Sequence, residues 1–496
     1  MKYSLPILAL LILGLVLPLP AASAPAHSLL PPPVAPEPYP FSERYPVLIA
    51  ATRPTDLQRL TAMRLEIDDV QLAADGTHLV TAFVSPAEAE ALTQAGYEFV
   101  PIPNQGYRSF LATSAISGAP VPWPSYDEFV ARMQGLVTAY PALVDLHIIG
   151  YSVRGRPIYC LELSDNVGVD EDEPEFRYLS TMHGDETTGI EMTLRLVELL
   201  TAGYGSDPEL TALVDEIESW ICPIYNPDGF VAGSRYNANG IDLNRNYPDR
   251  FTNPEDDPAG HEQETQVFMN FGYQHRFVMG ANYHGGTLVL NYPWDAVVDE
   301  DEEEIIPAYA PDDDLFYTFG YGYTSRNPEM FASKSFEDGL TRGWEWYQIY
   351  GGMQDWAYLY RGEHHVTIEV SVRGSPNYAE MDDYWASNRE AMLWWMSQVV
   401  TGFRGRVTEA RHGTPLDAVI TVEGMEAPNF ARTDPLVGDY HRVILAGEYT
   451  LTASAEGYIS QSIPITVVTG AVTTQDFALT PLGAPPLVTY LPVMLR

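Results

Sequence analysis

Two side chains that could bind a metal, His183 and Glu186, stand three residues apart between a strand-like run at 176–179 and an amphipathic helix predicted for 188–200. A histidine and a carboxylate at the end of a strand can turn onto one ion, and Gly184 lets the backbone bend between them. Nitrogen and oxygen ligands, with one position left for water, suit zinc. The pair therefore predicts a zinc site.

A third zinc ligand should follow another strand, and His284 does so, after the apolar run at 277–279 and before a Gly-Gly pair. A lone histidine is more often a satisfied polar residue than a ligand, but the end of a strand is where ligands gather in α/β folds. The His/Glu spacing recurs at His261 and Glu264, in a polar loop with no strand before it. We interpret that second copy as chance.

Two arginines and an asparagine lie between these ligand candidates. Arg235 is followed by Asp242, Asn244 and Arg245, after a turn predicted at 226–229. Arginines packed beside a metal site are costly unless an anion meets them, and the guanidinium fork suits a carboxylate. Salt bridges to structural acids are the alternative.

The charge of the chain excludes some partners. Its 496 residues are 46% apolar, which is enough for well-packed cores, and 67 acidic against 27 basic residues give a net charge of −40. Such a charge repels phosphate backbones and anionic membranes, so we expect no nucleic-acid partner. The acidic runs at 170–173, 299–304 and 312–314 are predicted to be solvated loops, with Ca²⁺ binding as the alternative.

The first residues have the composition of a secretory signal: Lys2, an apolar run at 5–19 and small residues at 21–26. The run is too short for a comfortable membrane span, and no later segment is apolar over the length that one needs. We predict a signal peptide over 1–26 and a secreted protein, released or held at the cell surface. Whether the only cysteines, Cys160 and Cys222, form a disulfide stays open.

The N-terminal part reads as a linker and a small domain. Residues 27–44 are proline-rich and predict a stiff linker, and 45–103 read strand, helix, strand, strand, helix, strand, with a capping box at Ser85 and Glu88. A second loose stretch covers 104–121. A compact unit on a cleavable linker suggests an inhibitory pro-segment; a plain accessory domain is the alternative.

Residues 122–402 form the largest predicted unit, of the α/β class: a mixed, largely parallel sheet flanked by helices, closed by a helix at about 387–402. Residues 403–480 hold short alternating strands and predict an all-β sandwich. The tail at 481–496 has no assigned role; a sorting element and an added edge strand are both open.

Seven motifs resemble the zinc metallocarboxypeptidases of the carboxypeptidase A fold, most closely the regulatory branch with carboxypeptidases D, E and N. They are His-Gly-Asp-Glu at 183–186, Asn-Pro-Asp-Gly at 226–229, Asn-Ala-Asn-Gly-Ile-Asp-Leu-Asn-Arg-Asn at 237–246, His-Gly-Gly at 284–286, Asn-Tyr-Pro-Trp-Asp at 291–295, Gly-Gly-Met-Gln-Asp-Trp at 351–356 and Thr-Ile-Glu-Val-Ser at 367–371. That branch carries a transthyretin-like β-sandwich, which 403–480 resemble, whereas 45–103 are reminiscent of the other branch and of bacterial secreted members.

The resemblance implies roles residue by residue. It makes His183, Glu186 and His284 the ligands of one Zn²⁺, Asp242 the partner that orients His183, Glu369 the general base and Arg235 the group that stabilises the oxyanion. It assigns the grip on the substrate's C-terminal carboxylate to Asn244, Arg245 and Tyr347. The family assigns nothing to Glu363, His364 and His365, which we expect to be loop residues.

The implied function is a secreted carboxypeptidase, expected to be a monomer, that acts on peptide or protein C-termini. Asp295 and Gln354 match the pocket pair that accompanies a preference for C-terminal Lys or Arg in the regulatory branch. An amidase that trims peptidoglycan stem peptides on the same fold is an alternative. A non-catalytic surface-binding protein is another, although the complete ligand set argues against it.

Overall fold

The computed structural model describes residues 30–32, 34–53, 55–73, 75–104, 122–298 and 306–483. The predicted signal peptide, nearly all of the linker at 104–121, the acidic run at 299–304 and most of the tail at 481–496 therefore lie outside the described residues. Within the described ranges, no helix is both long enough and apolar enough to cross a membrane.

The N-terminal unit is an antiparallel four-stranded sheet with strand order β2-β3-β1-β4. Its elements are β1 Tyr45–Ala51, a helix at Asp56–Ala62, β2 Glu66–Leu72, β3 His78–Val84, a helix at Pro86–Gln94 and β4 Glu98–Pro101. This element order is the predicted one, and the capping box of Ser85 and Glu88 is confirmed by both of its hydrogen bonds. Strand β2 lies at the edge of the sheet, so its outer side is free to meet the next unit.

An eight-stranded mixed sheet, in the order β11-β10-β12-β9-β7-β8-β6-β5, forms the centre of the molecule. Its strands are β5 Val144–Tyr151, β6 Pro157–Leu163, β7 Glu175–Ser180, β8 Glu218–Cys222, β9 Phe277–His284, β10 Leu288–Tyr292, β11 Leu340–Arg342 and β12 His364–Val370. The pairs β8–β7, β7–β9 and β9–β12 are parallel, so four central strands point the same way. The α/β prediction for this region is therefore correct.

Helices cover the sheet on both sides. They are Tyr126–Ala139, Thr188–Gly203, Pro208–Asp215, Pro227–Ala232, Gln263–Gln274, Asp313–Thr324, Pro328–Phe331, Gly343–Trp346, Met353–Trp356 and Met381–Ser397. The last of these begins six residues before the predicted start at 387, because a 3-10 turn at Tyr378–Glu380 leads directly into it. Trp395 on this helix is fully buried, as is the facing Leu194, so the two long helices share one core.

The two cysteines form a disulfide. Cys160 lies on β6 and Cys222 at the end of β8, and their Cα atoms are 4.2 Å apart. The two strands are antiparallel neighbours in which Leu161 faces Ile221, so the cysteines fall opposite each other. The sheet therefore settles a pairing that the sequence left open.

The C-terminal unit is a β-sandwich of two sheets, with orders β16-β13-β21-β18 and β15-β14-β17-β19. Its strands are β13 Gly402–Glu409, β14 Ala418–Val422, β15 Phe430–Arg432, β16 Asp439–Arg442, β17 Gly447–Ala455, β18 Tyr458–Ile459, β19 Gln461–Val467, β20 Val472–Thr474 and β21 Phe477–Pro481. Arg442 joins the sandwich to the central unit through a buried ion pair of 2.7 Å with Asp312.

The last residues of the proline-rich stretch are packed rather than free. Tyr39 is only 6% exposed and lies between the rings of Phe83 and Tyr236. The carbonyl oxygen of Pro40 accepts a hydrogen bond of 2.7 Å from the Ser234 hydroxyl. These contacts tie the N-terminal unit to the central one, which the linker prediction did not foresee.

Candidate active site

The ends of three neighbouring parallel strands build one site. His183 comes three residues after β7, His284 is the last residue of β9, and Glu369 lies near the end of β12. The register sets Glu369 directly beside His284. Because parallel strands end at the same edge of a sheet, residues far apart in the sequence meet there.

His183, Glu186 and His284 form a buried cluster whose candidate ligand atoms all lie within 4.8 Å of one another. The Nδ1 atoms of the two histidines are 3.1 Å apart, and the two oxygens of Glu186 lie 2.9 Å from Nδ1 of His183 and 2.8 Å from Nδ1 of His284. Tetrahedral zinc with bonds of about 2.1 Å separates its ligand atoms by about 3.4 Å. A cation bound between the two imidazole nitrogens and the carboxylate would pair with all three groups. The residues therefore fit zinc.

The backbone before and between the ligands is unusual. Thr181 has a φ of +62°, in the left-handed region that costs a branched residue energy, directly after β7. Gly184 lies against the next loop so closely that a Cβ there would be 2.0 Å from the carbonyl carbon of Gly229. Only glycine fits at 184, because the loop that follows β8 must pass beside the metal ligands.

Asp242 connects three parts of the site. One of its oxygens lies 3.0 Å from Nε2 of His183 and accepts the Asn244 N–H at 2.8 Å, and the other accepts from Arg235 at 3.0 Å. A carboxylate on the second ring nitrogen fixes the orientation of a ligating histidine. Burial would raise the pKa of Asp242, but Arg235 and His183 outweigh it and hold the pKa well below the ordinary value. Asp242 is therefore ionised.

Neighbouring charges shift the pKa values of the candidate ligands Glu186 and His183. Burial would raise the pKa of Glu186, but the His183 and His284 rings outweigh it and lower this pKa. Burial and Arg235 lower the pKa of His183, whereas Glu186 and Asp242 raise it to about 9. The site thus holds its negative charge on Glu186 at neutral pH, as a cation site requires.

Glu369 has a carboxylate without a counter-charge. Its Oε2 atom is buried and, among the described residues, has no hydrogen-bond partner. Burial, then Glu186 and then Asp68 raise the pKa of Glu369 well above its ordinary value. A buried acid with a free oxygen is ready to accept and return a proton.

Arg235, Arg245 and Tyr347 all contact strand β2 of the N-terminal unit. Nη1 of Arg235 lies 2.9 Å from Oδ1 of Asp68, Nη2 of Arg245 donates to the carbonyl of Ile67 at 2.9 Å, and the hydroxyl of Tyr347 donates to the carbonyl of Asp68 at 2.9 Å. A cleft of about 260 Å³ remains beside this strand, between Asp68 and Glu369.

Sequence reasoning missed Asp68. The signal that could have found it is a pair of acids, Asp68 and Asp69, in the middle of a predicted strand, between Ile67 and Val70. Asn244 does not touch β2 by its side chain; its Oδ1 accepts the Met353 N–H at 3.0 Å.

Asp295 and Gln354 are both buried and contact each other. The carboxylate of Asp295 accepts hydrogen bonds from Gln354 at 3.0 Å and from Asn291 at 3.1 Å. Burial, then Asp355, raises its pKa well above the ordinary value. Within the part of the chain that the structure describes, no basic side chain forms an ion pair with Asp295. Gln354 also accepts the Thr367 N–H at 2.8 Å, which links this pair to the strand that carries Glu369.

Two predictions about neighbouring residues are wrong. His364 and His365 are not loop residues, because they begin β12, whereas Glu363 lies just before that strand, outside regular structure. All three are buried, and Glu363 forms an ion pair with the buried Arg177. Residues 226–229 do not form only a turn. Asn226 caps a short helix at Pro227–Ala232, since its side chain accepts the Gly229 N–H.

Comparison with known protein families agrees with this geometry. The family model for zinc carboxypeptidases matches residues 129–391. The chain is 38% identical to carboxypeptidase SOL1 of Arabidopsis thaliana over 357 residues, which cover 72% of each chain. It is 36% identical to carboxypeptidase D of Rattus norvegicus over 80% of its own length but only 29% of that protein's length.

Comparison with solved structures supports the fold. The crystal structure of carboxypeptidase A from Helicoverpa armigera superposes with a TM-score of 0.55 at 16% identity, over 72% of this chain and 97% of the other. At this low identity the likeness concerns the fold alone.

Proposed function

Because the chain belongs to the zinc carboxypeptidase family, it is a zinc-dependent metallocarboxypeptidase that hydrolyses C-terminal peptide bonds, and we propose that it prefers C-terminal Lys and Arg. We further propose that Glu369 is its general base and that residues 45–103 hold it inactive until they are removed. The observation that carries the preference is the buried Asp295 carboxylate, whose hydrogen-bond partners are two amides.

The catalytic roles follow from position and charge. His183, Glu186 and His284 would hold the zinc ion, which when bound would lower the pKa of a coordinated water to about 7 and polarise the scissile carbonyl. Glu369 accepts the proton of the attacking water and returns it to the leaving amine. Arg235 lies 3.3 Å from Glu186 and stabilises the negative charge that develops on the carbonyl oxygen.

The enzyme cleaves the last peptide bond because its side chains bind the substrate's C-terminal carboxylate. Asp242 links Asn244 to the zinc ligands, because it accepts the Asn244 N–H and lies 3.0 Å from Nε2 of His183. Arg245 follows Asn244 in the chain, and its Nη1 donates to the Asn244 carbonyl. A carboxylate held at a fixed distance from the metal brings only the terminal bond over the water. The same groups therefore make the enzyme an exopeptidase.

The proposed basic preference follows from the desolvated carboxylate of Asp295. An unpaired buried carboxylate is unfavourable, and a substrate ammonium or guanidinium supplies the missing counter-charge. The overall charge of −40 also steers cationic peptides toward the protein. A site built to pair with one charged group strongly rejects substrates that lack it.

The preference is tested with acylated dipeptides ending in Arg, Lys, Leu or Phe and with the Asp295→Asn variant. We expect kcat/KM for Arg to exceed that for Leu, and this ratio to fall by on the order of 100-fold in the variant, because the buried pairing is lost. Asp383→Asn is the matched control, since it removes one acid from the exposed face of the helix Met381–Ser397. Equal cleavage of Leu and Arg ends by the unmodified enzyme contradicts the preference, and cleavage of none of them points to the peptidoglycan amidase.

The inhibitory role of residues 45–103 rests on what β2 touches. The Asp68 carboxylate forms an ion pair with Arg235. The carbonyl oxygens of Ile67 and Asp68 accept hydrogen bonds from Arg245 and Tyr347, respectively. These are the groups proposed to bind a substrate's oxyanion and carboxylate. A peptide cannot reach them while β2 is in place.

The inhibition is tested by controlled cleavage. Arg108 is the only Lys or Arg in the linker at 104–121, so brief trypsin treatment should raise activity at least about tenfold in the unmodified chain and not in Arg108→Gln. Asp68→Asn should raise the activity of the uncleaved chain, since one ion pair with Arg235 is lost. Asp69→Asn, one residue along the same strand, is the control. Full activity of the uncleaved chain would assign 45–103 to the accessory-domain alternative.

We also propose that the protein acts outside the cytoplasm. The signal-like composition of residues 1–26 and the disulfide between Cys160 and Cys222 support this location, because disulfides persist in oxidising compartments.

A further inference from the structure

A second cluster of metal-binding side chains lies where the central unit meets the β-sandwich. Asp439 and His441 are two residues apart on β16, so they project from the same face of that strand. Asp172 approaches them from the loop between β6 and β7 of the central unit. The cluster therefore joins two parts of the chain that are separated by more than 260 positions in the sequence.

The distances suit a single ion. Nε2 of His441 lies 2.9 Å from Oδ2 of Asp439 and 3.7 Å from Oδ1 of Asp172, and one ligand atom of each residue lies within 4.8 Å of the others. The two distances lie on either side of the spacing of about 3.4 Å between ligands of tetrahedral zinc. Small side-chain rotations would bring all three groups onto one centre.

Two oxygens in the cluster lack partners. Asp439 is only 5% exposed, yet its Oδ1 has no hydrogen-bond partner among the described residues, and the same holds for Oδ1 of Asp172. A buried polar atom left without a partner is unfavourable, and more so when it is charged. Both free oxygens belong to carboxylates that face His441, so one cation would satisfy both.

The charged groups around the cluster also favour binding of a cation. The Nε atom of Arg406 lies 2.9 Å from Oδ2 of Asp172. Among the ion pairs of the described residues, the two carboxylates of the cluster thus share one guanidinium and one imidazole.

We propose that Asp172, Asp439 and His441 bind a second divalent cation of the zinc class, which fastens the β-sandwich to the central unit. An imidazole nitrogen with carboxylate oxygens suits Zn²⁺ and similar transition metals, whereas Ca²⁺ and Mg²⁺ prefer oxygen ligands alone. The Asp172 side chain is 37% exposed, so water reaches the site and completes the coordination. This site is independent of the catalytic one and does not rest on the proposed substrate preference.

The test counts bound metal in the full chain. Chelator-treated protein is titrated with ZnCl₂ by calorimetry, and the content after dialysis is measured by elemental analysis. We expect two equivalents of zinc in the unmodified chain and one in Asp439→Asn and His441→Gln, with Zn²⁺ affinity at the second site weakened at least 100-fold. His412→Gln, at an exposed position of the same sandwich, should keep two. Circular dichroism of the full chain, and unchanged peptidase activity after brief trypsin treatment, show that the variants are folded.

A second series separates this site from the catalytic one. His183→Asn should retain one equivalent of zinc, and the double variant His183→Asn/Asp439→Asn should retain none. A single equivalent in the unmodified chain that Asp439→Asn leaves in place overturns the proposal. Calcium that binds the site, is lost in Asp439→Asn and is retained in His441→Gln overturns the assignment to the zinc class.

Discussion

Strands β9 and β12 carry a polar cluster at each end, and the two clusters differ in what they leave unpaired. At the amino end, Glu363 forms a two-point ion pair with Arg177, through contacts of 2.8 and 2.5 Å. Its Oε1 also lies 2.7 Å from Nδ1 of His365, whose Nε2 lies 3.1 Å from the amide of Asn282. Both carboxylate oxygens and both ring nitrogens there have partners.

At the carboxyl end the same two strands carry Glu369 and His284. Oε2 of Glu369 and Nε2 of His284 have no hydrogen-bond partner within the described ranges. The pKa values of Glu363 and Glu369 are shifted in opposite directions. Burial would raise the pKa of Glu363, but Arg177 and His365 lower it to about 2, whereas the pKa of Glu369 is raised well above its ordinary value. The two acids thus differ in their partners: both oxygens of Glu363 are held, whereas Oε2 of Glu369 is not.

The largest effect should come from Glu369→Gln. The amide cannot accept the proton of the attacking water, so we expect kcat to fall by on the order of 10³-fold, within the range typical of general acid–base groups. The melting temperature and zinc content should stay the same or rise, because an unpaired buried carboxylate is removed. A variant that keeps more than a tenth of the activity would contradict the role of Glu369.

Glu363→Gln should lower the stability of the protein and leave its kcat nearly unchanged. Breaking a buried pair leaves Arg177 uncompensated, and we expect a loss of about 3 kcal/mol in the free energy of unfolding. The kcat of the folded fraction should stay within about threefold of the unmodified value, since the pair lies six residues away from Glu369 along β12. Denaturant titration and active-site titration separate the two quantities. A large fall in kcat at unchanged stability would remove the distinction between the two clusters.

The smallest effect concerns how the loss of unfolding free energy in Glu363→Gln depends on pH. The folded-state pKa of Glu363 is lowered to about 2, so its contribution is complete above the unfolded-state pKa of about 4.3 and is lost as pH falls toward 2. The stability difference between the unmodified protein and Glu363→Gln should therefore be constant above about pH 5 and shrink below about pH 4. Urea titrations at several pH values measure this. A difference that grows with acidification would show that Arg177 does not hold Glu363 ionised.

The site residues could be named from the sequence because strand ends are readable. His183 and His284 each follow an apolar run and stand beside glycine, and Glu369, which the family resemblance names, lies in a segment at 366–370 whose other residues are apolar or neutral. The sequence did not show that Glu363 is buried, because its partner Arg177 lies on β7 and no local pattern shows that pairing. Strand β9, which lies between β7 and β12 in the sheet, brings them together.

The sequence by itself determined the α/β class, the element order of the N-terminal unit and which side chains have the chemistry to hold zinc, because periodicity, caps and donor types are local properties. Only the tertiary structure decided that Asp68 lies on Arg235, that Cys160 meets Cys222 and that Asp172 faces His441. Each of these contacts joins segments that are distant in the chain. Their proximity depends on sheet order and on how the units dock, which no local pattern encodes.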